Sequence, residues 1–171
     1  GGDQDMHLKI AAAALAALTL STLTLAAGAA NAAAEFVTVP LEATINAPAD
    51  VAWKKIDGFC QIGPWFKTSC VITSGVDGQM GAVRRIADRI DELLVAKTAW
   101  SYTYSQPKSP NDYHGTVEIR PIDKGHSKLL YALVYDQGVL PTPEAKTARK
   151  EGLTKLLTAL VATMKAAAEA K

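Results

Sequence analysis

Hydrophobic and polar positions alternate cleanly in EFVTVPLEATINAP, residues 35–48. Val37, Val39, Leu41, Ala43 and Ile45 fall on one face, and Thr38, Glu42, Thr44 and Asn46 on the other. That two-residue period predicts a half-buried strand. Pro40 has no amide hydrogen to offer a neighbour, which marks the strand as an edge or terminal one. In APADVAWKKIDGF, Pro48 suits a first helical turn, Val51, Ala52 and Ile56 share a side, and Gly58 stops the run, so a short helix is expected. CQIGPWF allows one further turn, ending at Gly63-Pro64.

Strand patterns follow in close succession. SCVITSG and GAVRRIAD flank the turn GVDGQMG, RIDELLVAKTA and AWSYTYSQ form the next pair, and PKSPND is a loop. In YHGTVEIRPI, Tyr113, Gly115, Val117 and Ile119 alternate with His114, Thr116, Glu118 and Arg120. SKLLYALVYD is apolar at nearly every position, as expected for a central strand covered on both sides. The chain closes on a helical pattern. Thr142 is a fair N-cap, Pro143 fits the first helical position, and Glu144 favours the positive helix end. Leu153, Leu156, Leu157, Leu160, Val161 and Met164 then form an apolar stripe along a helix about 40 Å long. A meander with one apolar face and one long amphipathic helix is satisfied when the sheet curls around the helix. The expected class is α+β, with six to seven antiparallel strands, two short helices after the first strand and a long C-terminal helix. A cavity left between sheet and helix would be the default ligand site.

The first 32 residues carry a different pattern. Met6-His7-Leu8-Lys9 is a short basic start, residues 10–30 are apolar and uncharged, and Ala30-Asn31-Ala32 has small residues at a cleavage spacing. This predicts a secretory signal cleaved near Ala32. The competing reading, a retained anchor, suffers from the weak hydrophobicity of an Ala- and Thr-rich run. Residues 33–171 are then expected to be one exported, periplasmic or secreted, domain. The whole chain carries a formal charge of +1, and its charged residues are scattered without a basic stripe. Nucleic acid is not expected as a partner class on that ground, and no stable membrane insertion is expected once the signal is removed.

Both cysteines lie in GFCQIGPWFKTSC. An exported compartment is oxidising, and an even cysteine count there favours a Cys60–Cys70 disulfide. Two buried free thiols are the alternative. With no CxxC and no nearby histidine, redox and metal sites are disfavoured. His114 and His126 have no partners at metal-ligand spacing, so no metal is expected. No glycine-rich phosphate loop and no nucleophile elbow is present, and no cofactor is expected.

In order and spacing, APADVAWKKIDGF with Trp65, GAVRRI, DELL, SYTYS, NDY and GLTKLL resemble the START/Bet v 1-like, or SRPBCC, superfamily, which includes polyketide cyclase/dehydrase-like proteins. The resemblance spans about Glu35 to Lys171. It implies the helix-grip fold and a cavity for a hydrophobic small molecule that is lipid-, sterol- or polyketide-like. Carried over by position, it makes Glu92, Tyr113 and Tyr131 pocket residues. The plant hormone receptors of this group carry a lysine where this chain has Pro64, so their carboxylate anchor is missing here.

Periodicity leaves Glu92 open: it points to solvent, paired with Arg84 or Arg85, or inward with Arg84 as its partner. A carboxylate in an apolar cavity needs such a partner. Trp100, Tyr102 and Tyr104 share a strand face and either pack under the helix or line the cavity with a phenol handle. Trp65 and Phe66 are expected at the cavity lip, and Leu157 and Val161 on its helical wall. Two functions follow. One is an exported binding or carrier protein for an apolar molecule. The other is a cyclase/dehydratase-type enzyme using Glu92 with Tyr104 or Tyr113 as general acid and base. A folded interaction module with a collapsed cavity is a third reading.

Overall fold

The computed structural model describes residues 33–171, and the expected leader and cleavage site lie outside them. Strand β1 (Phe36–Ile45) leads into helix α1 (Ala49–Ile56), a 3-10 turn (Phe59–Gln61) and helix α2 (Ile62–Phe66). Six strands follow: β2 (Cys70–Ser74), β3 (Val83–Ile86), β4 (Ile90–Lys97), β5 (Ser101–Ser105), β6 (His114–Pro121) and β7 (Ser127–Asp136). Helix α3 (Pro143–Glu169) ends the chain. The sheet order is β1-β7-β6-β5-β4-β3-β2, antiparallel throughout. β2 to β7 form an uninterrupted meander, and β1 returns to pair along the whole of β7. Pro40 thus sits on an edge strand. This is the helix-grip fold.

The core lies between one face of this sheet and the helices. β6 and β7 send Gly115, Val117, Ile119, Leu129, Leu133 and Tyr135 inward. From α3 they meet Leu153, Leu157, Leu160, Val161 and Met164, and from α1 Ala52, Trp53 and Ile56. The helix starts as its sequence dictates: Thr142 Oγ1 accepts from the Ala145 amide at 3.1 Å, and Pro143 follows.

Several local expectations need correcting. Val51 is exposed, and Trp53 takes the inward position on α1. α2 continues through Gly63-Pro64 to Phe66 because Pro64 lies in the first turn, where its missing N–H costs nothing. Lys67, in the left-handed region at φ 53°, is what ends it. β7 is covered on one side only: Leu130, Ala132 and Val134 are half-buried on the outer face, since the described residues supply no second helical layer. Trp100 sits in a bend ahead of β5 and is 38% exposed, so it does not share the inward face of Tyr102 and Tyr104. Leu156 is 49% exposed and leaves the buried stripe of α3.

Candidate functional site

A cavity of about 230 Å³ opens between the sheet and α3. Its wall is built from four places. α2 and the segment after it supply Ile62, Phe66 and Thr68; the β3–β4 hairpin supplies Ile86, Ala87, Arg89, Ile90 and Glu92; β5, β7 and the ends of the β5–β6 loop supply Tyr104, Tyr131, Gln106 and Tyr113; α3 supplies Leu156 and Leu157. The lining is mostly apolar, with polar groups at a few points, as in a small-molecule site.

Arg84 and Glu92 face each other across the β3–β4 ladder. Both side chains point inward and both are buried. Arg84 donates from Nε and Nη2 to Glu92 Oε2, at 2.8 and 2.5 Å. Gln106 Nε2 donates to the other oxygen, Oε1, at 2.8 Å. The third Arg84 nitrogen, Nη1, donates to the Phe59 carbonyl. The guanidinium also lies 4.0 Å from the Phe59 ring centroid and 5.1 Å from that of Tyr104. Burial, the largest single effect, would lower the Arg84 pKa; the Glu92 carboxylate together with Tyr102 and Tyr104 reverses it, and the net direction is upward. The buried carboxylate is therefore neutralised and nearly saturated with donors, the condition for holding a charge in an apolar wall.

Three tyrosines surround it. The Tyr104 and Tyr131 hydroxyls are hydrogen-bonded at 2.5 Å, and the Tyr104 and Tyr113 rings lie 6.5 Å apart. Burial pushes the Tyr104 and Tyr131 phenols well above their ordinary pKa and pushes Tyr113 up to about 12. All three are neutral donors at physiological pH. Tyr104 fits because residue 115, directly opposite on β6, is glycine: a Cβ there would stand 2.6 Å from the Tyr104 hydroxyl oxygen. A glycine inside a strand marks such a close approach.

The disulfide joins the 3-10 turn to the start of β2: Cys60 and Cys70 are bonded, with Cα atoms 5.5 Å apart. It sits beside Phe59, the residue that both accepts from Arg84 and stacks on it. Gly63 packs against the bridge, its position leaving 3.2 Å between a hypothetical Cβ and Cys70 Cβ. The cysteines thus brace the cavity wall through Phe59 and α2.

Of the residues singled out by sequence, Phe66, Glu92, Tyr104, Tyr113, Tyr131 and Leu157 line this cavity. Arg84 stands behind Glu92. Tyr102 lies in the core, its ring 6.0 Å from Trp53 and 5.9 Å from Phe59. Val161 is also core, and Trp65 packs half-buried against the core without reaching the cavity. Gln106 and Leu156 were missed. Gln106 continues the two-residue spacing of Tyr102 and Tyr104, and that spacing was the available signal. Ile86 and Ile90 keep the two-residue spacing of Arg84 and Glu92, whereas Arg89 and Thr68 follow no such period. Among the described residues, no group of histidine, cysteine, aspartate and glutamate has the arrangement of a metal site.

A family profile described as "Polyketide cyclase / dehydrase and lipid transport" matches residues 37–169. No curated protein matches the chain in sequence. Among solved structures it is similar to the Zhui aromatase/cyclase from Streptomyces sp. R1128, at 17% identity and a TM-score of 0.65, over 79% of this chain and 94% of that one. It is similar to Ara h 8.0201, at 16% identity and 0.59, over 80% and 100%. It is also similar to norcoclaurine synthase from Thalictrum flavum, solved with dopamine and hydroxybenzaldehyde, at 14% identity and 0.58, over 78% and 86%. Identities this low establish a common fold. With the profile match across nearly all the described residues, the chain belongs to the polyketide cyclase/dehydrase and lipid transport family, within the SRPBCC superfamily.

Proposed function

We propose that this protein is an exported binding or carrier protein for a hydrophobic small molecule held between the sheet and α3. The observation that carries the reading is the cavity itself: an apolar-lined space of about 230 Å³ whose one carboxylate is already paired and hydrogen-bonded. A space of about 150 Å³ is enough for benzene in a protein interior, so this one suits a compact apolar body. Export is supported by the leader pattern of residues 1–32 and by the disulfide, which is stable in an oxidising compartment. Apolar cargo crossing water needs such an enclosure.

The same cavity supports a second reading, a cyclase or dehydratase, because Glu92 and three phenols converge on it. Binding is favoured over this. Glu92 Oε2 accepts twice from Arg84 and Oε1 once from Gln106, so little basic capacity is free, and phenols held protonated can donate but not abstract.

Mass spectrometry of material extracted from protein purified from its own host tests the proposal. A bound apolar molecule is expected, as is binding of a hydrophobic fluorescent probe. Empty extracts together with no probe binding would reject it. In a turnover assay on a candidate substrate, a loss of about 10²-fold or more in Glu92→Gln would favour the enzyme.

A further inference from the structure

The cavity is chemically lopsided. Its inner wall holds Glu92 and the tyrosine cluster, and its β3–β4 rim holds Arg89. Arg89 is exposed and, among the described residues, makes no ion pair or side-chain hydrogen bond. Of the neighbouring charges, Asp91 is doubly paired. Arg85 and Lys108 both bind Asp91, each at 2.6 Å, and Asp88 accepts from Ser69 Oγ at 3.3 Å. A second groove, lined by Arg89, Ile90, Asp91, Gln106, Lys108 and Ser109, shares Arg89, Ile90 and Gln106 with the cavity. The turn that carries Arg89 is unusual: Ala87 and Asp88 both have positive φ, 50° and 57°. Two successive left-handed residues are normally left to Asn-Gly in a tight hairpin; here they open the three-residue connection Ala87-Asp88-Arg89, and the Ala87 amide donates to the Ser69 carbonyl at 3.0 Å. The left-handed pair sets Arg89, immediately after it, on the cavity rim.

Resting on the reading that the cavity binds a compact apolar molecule, we propose that its ligand is a small anionic amphiphile, bound body-in and head-out, with the head gripped by Arg89. An anionic head at the inner end would meet the buried Glu92 carboxylate and lose its hydration. At the rim it keeps solvent and meets an uncommitted guanidinium whose planar N–H fork matches a carboxylate. A cationic head would meet the Arg89 guanidinium, and Asp91 on that rim is already held by two cations, Arg85 and Lys108. The apolar body lies against Phe66, Ile86, Ile90 and Leu156. That also accounts for an aliphatic side chain on α3 left half in water at the mouth.

Three probes share one body and differ only in charge: 4-phenylbutyrate, 4-phenyl-1-butanol and 4-phenylbutylamine. Titration calorimetry on the full disulfide-bonded chain is expected to rank butyrate about tenfold tighter than the alcohol, with the amine weakest. Added salt should narrow the gap. Arg89→Gln should remove the butyrate advantage over the alcohol, whereas Lys108→Gln should leave the ranking intact. Arg89 is exposed and unpaired, so its variant is expected to melt as the parent does. An alcohol that binds as well as the acid, or an Arg89→Gln protein that keeps the acid preference, would overturn the head-out assignment while leaving the apolar-cavity reading standing. Failure of all three probes, with empty host extracts, would overturn both.

Discussion

Arg84 and Glu92 are direct cross-strand partners, and the guanidinium holds one carboxylate oxygen through two donors at 2.8 and 2.5 Å, with the side chains only 0% and 4% exposed. The pair is a unit: neither member is tolerable in that place alone. Removing Glu92 leaves a buried cation with only the Phe59 carbonyl and two aromatic faces. Breaking a buried pair costs about 3–5 kcal/mol, whereas replacing both charges by apolar residues is often neutral.

Glu92→Ala is therefore expected to lower unfolding stability by about 3–5 kcal/mol in urea titration. Arg84→Met combined with Glu92→Leu should lie well above the sum of its single variants. Strict additivity of the two losses would mean the charges do not act together.

The disulfide closes a short loop, ten residues apart in sequence. Reduction, or Cys60→Ser with Cys70→Ser, is expected to cost about 2–3 kcal/mol on chain entropy alone. The effect should reach the cavity as well, because Phe59 is released from its bracing and with it the Arg84 position. Calorimetric melting with and without reductant measures the first, and hydrophobic-probe affinity the second. Free thiols in the oxidised protein, or a probe affinity indifferent to reduction, would contradict this.

The architecture was legible because its signals are long. The alternation over β1 and β6 and the apolar stripe of α3 each repeat often enough to outvote single exceptions. Glu92 was not legible, for a local reason. Register along β4 shifts between Leu94 and Ala96, so Val95 and Ala96 both face solvent and the alternation that would have oriented Glu92 is broken. Its cross-strand partner is an arginine, so hydropathy on the inward face of β3 and β4 reads as polar where the protein is most buried. Pro64 misled for the opposite reason: its ring stops a helix from within but starts one at the first turn, and sequence does not say which turn it occupies. The rim position of Arg89 depends on the hairpin turn at Ala87-Asp88, whose residues are not those the turn usually demands.

Gly115 is conformationally ordinary, and its importance is spatial. An added methyl would meet the Tyr104 hydroxyl oxygen at 2.6 Å and ring carbons at 2.7 and 2.8 Å, and this buried ring is held in place by its hydrogen bond to Tyr131. Gly115→Ala is expected to destabilise by about 1–3 kcal/mol, the range for overpacking, and to break the Tyr104–Tyr131 hydrogen bond. Tyr104→Leu in the same chain should recover part of the loss. If Gly115→Ala were as stable as the parent, the close approach would be wrong.

Alkaline pH offers a separate check on the tyrosine cluster. Burial raises the Tyr113 phenol to about 12 from an ordinary value of 10.0, and raises Tyr104 and Tyr131 as well. In the unfolded chain these phenols lose their protons near pH 10. Between pH 10 and 12 the unfolded chain therefore binds fewer protons than the folded one, and stability falls as pH rises. Below pH 10 both states are protonated and the contribution is complete. For Tyr113 alone the loss is about 3 kcal/mol across that window. Urea unfolding at stepped pH should give a plateau up to about pH 10 followed by a decline. Phenolate absorbance from the three buried tyrosines should appear only with unfolding. Tyr113→Phe removes one titrating group and should make the decline shallower. A decline of unchanged slope in Tyr113→Phe, or phenolate absorbance from all three at pH 10 in still-folded protein, would show that the cluster is open to water.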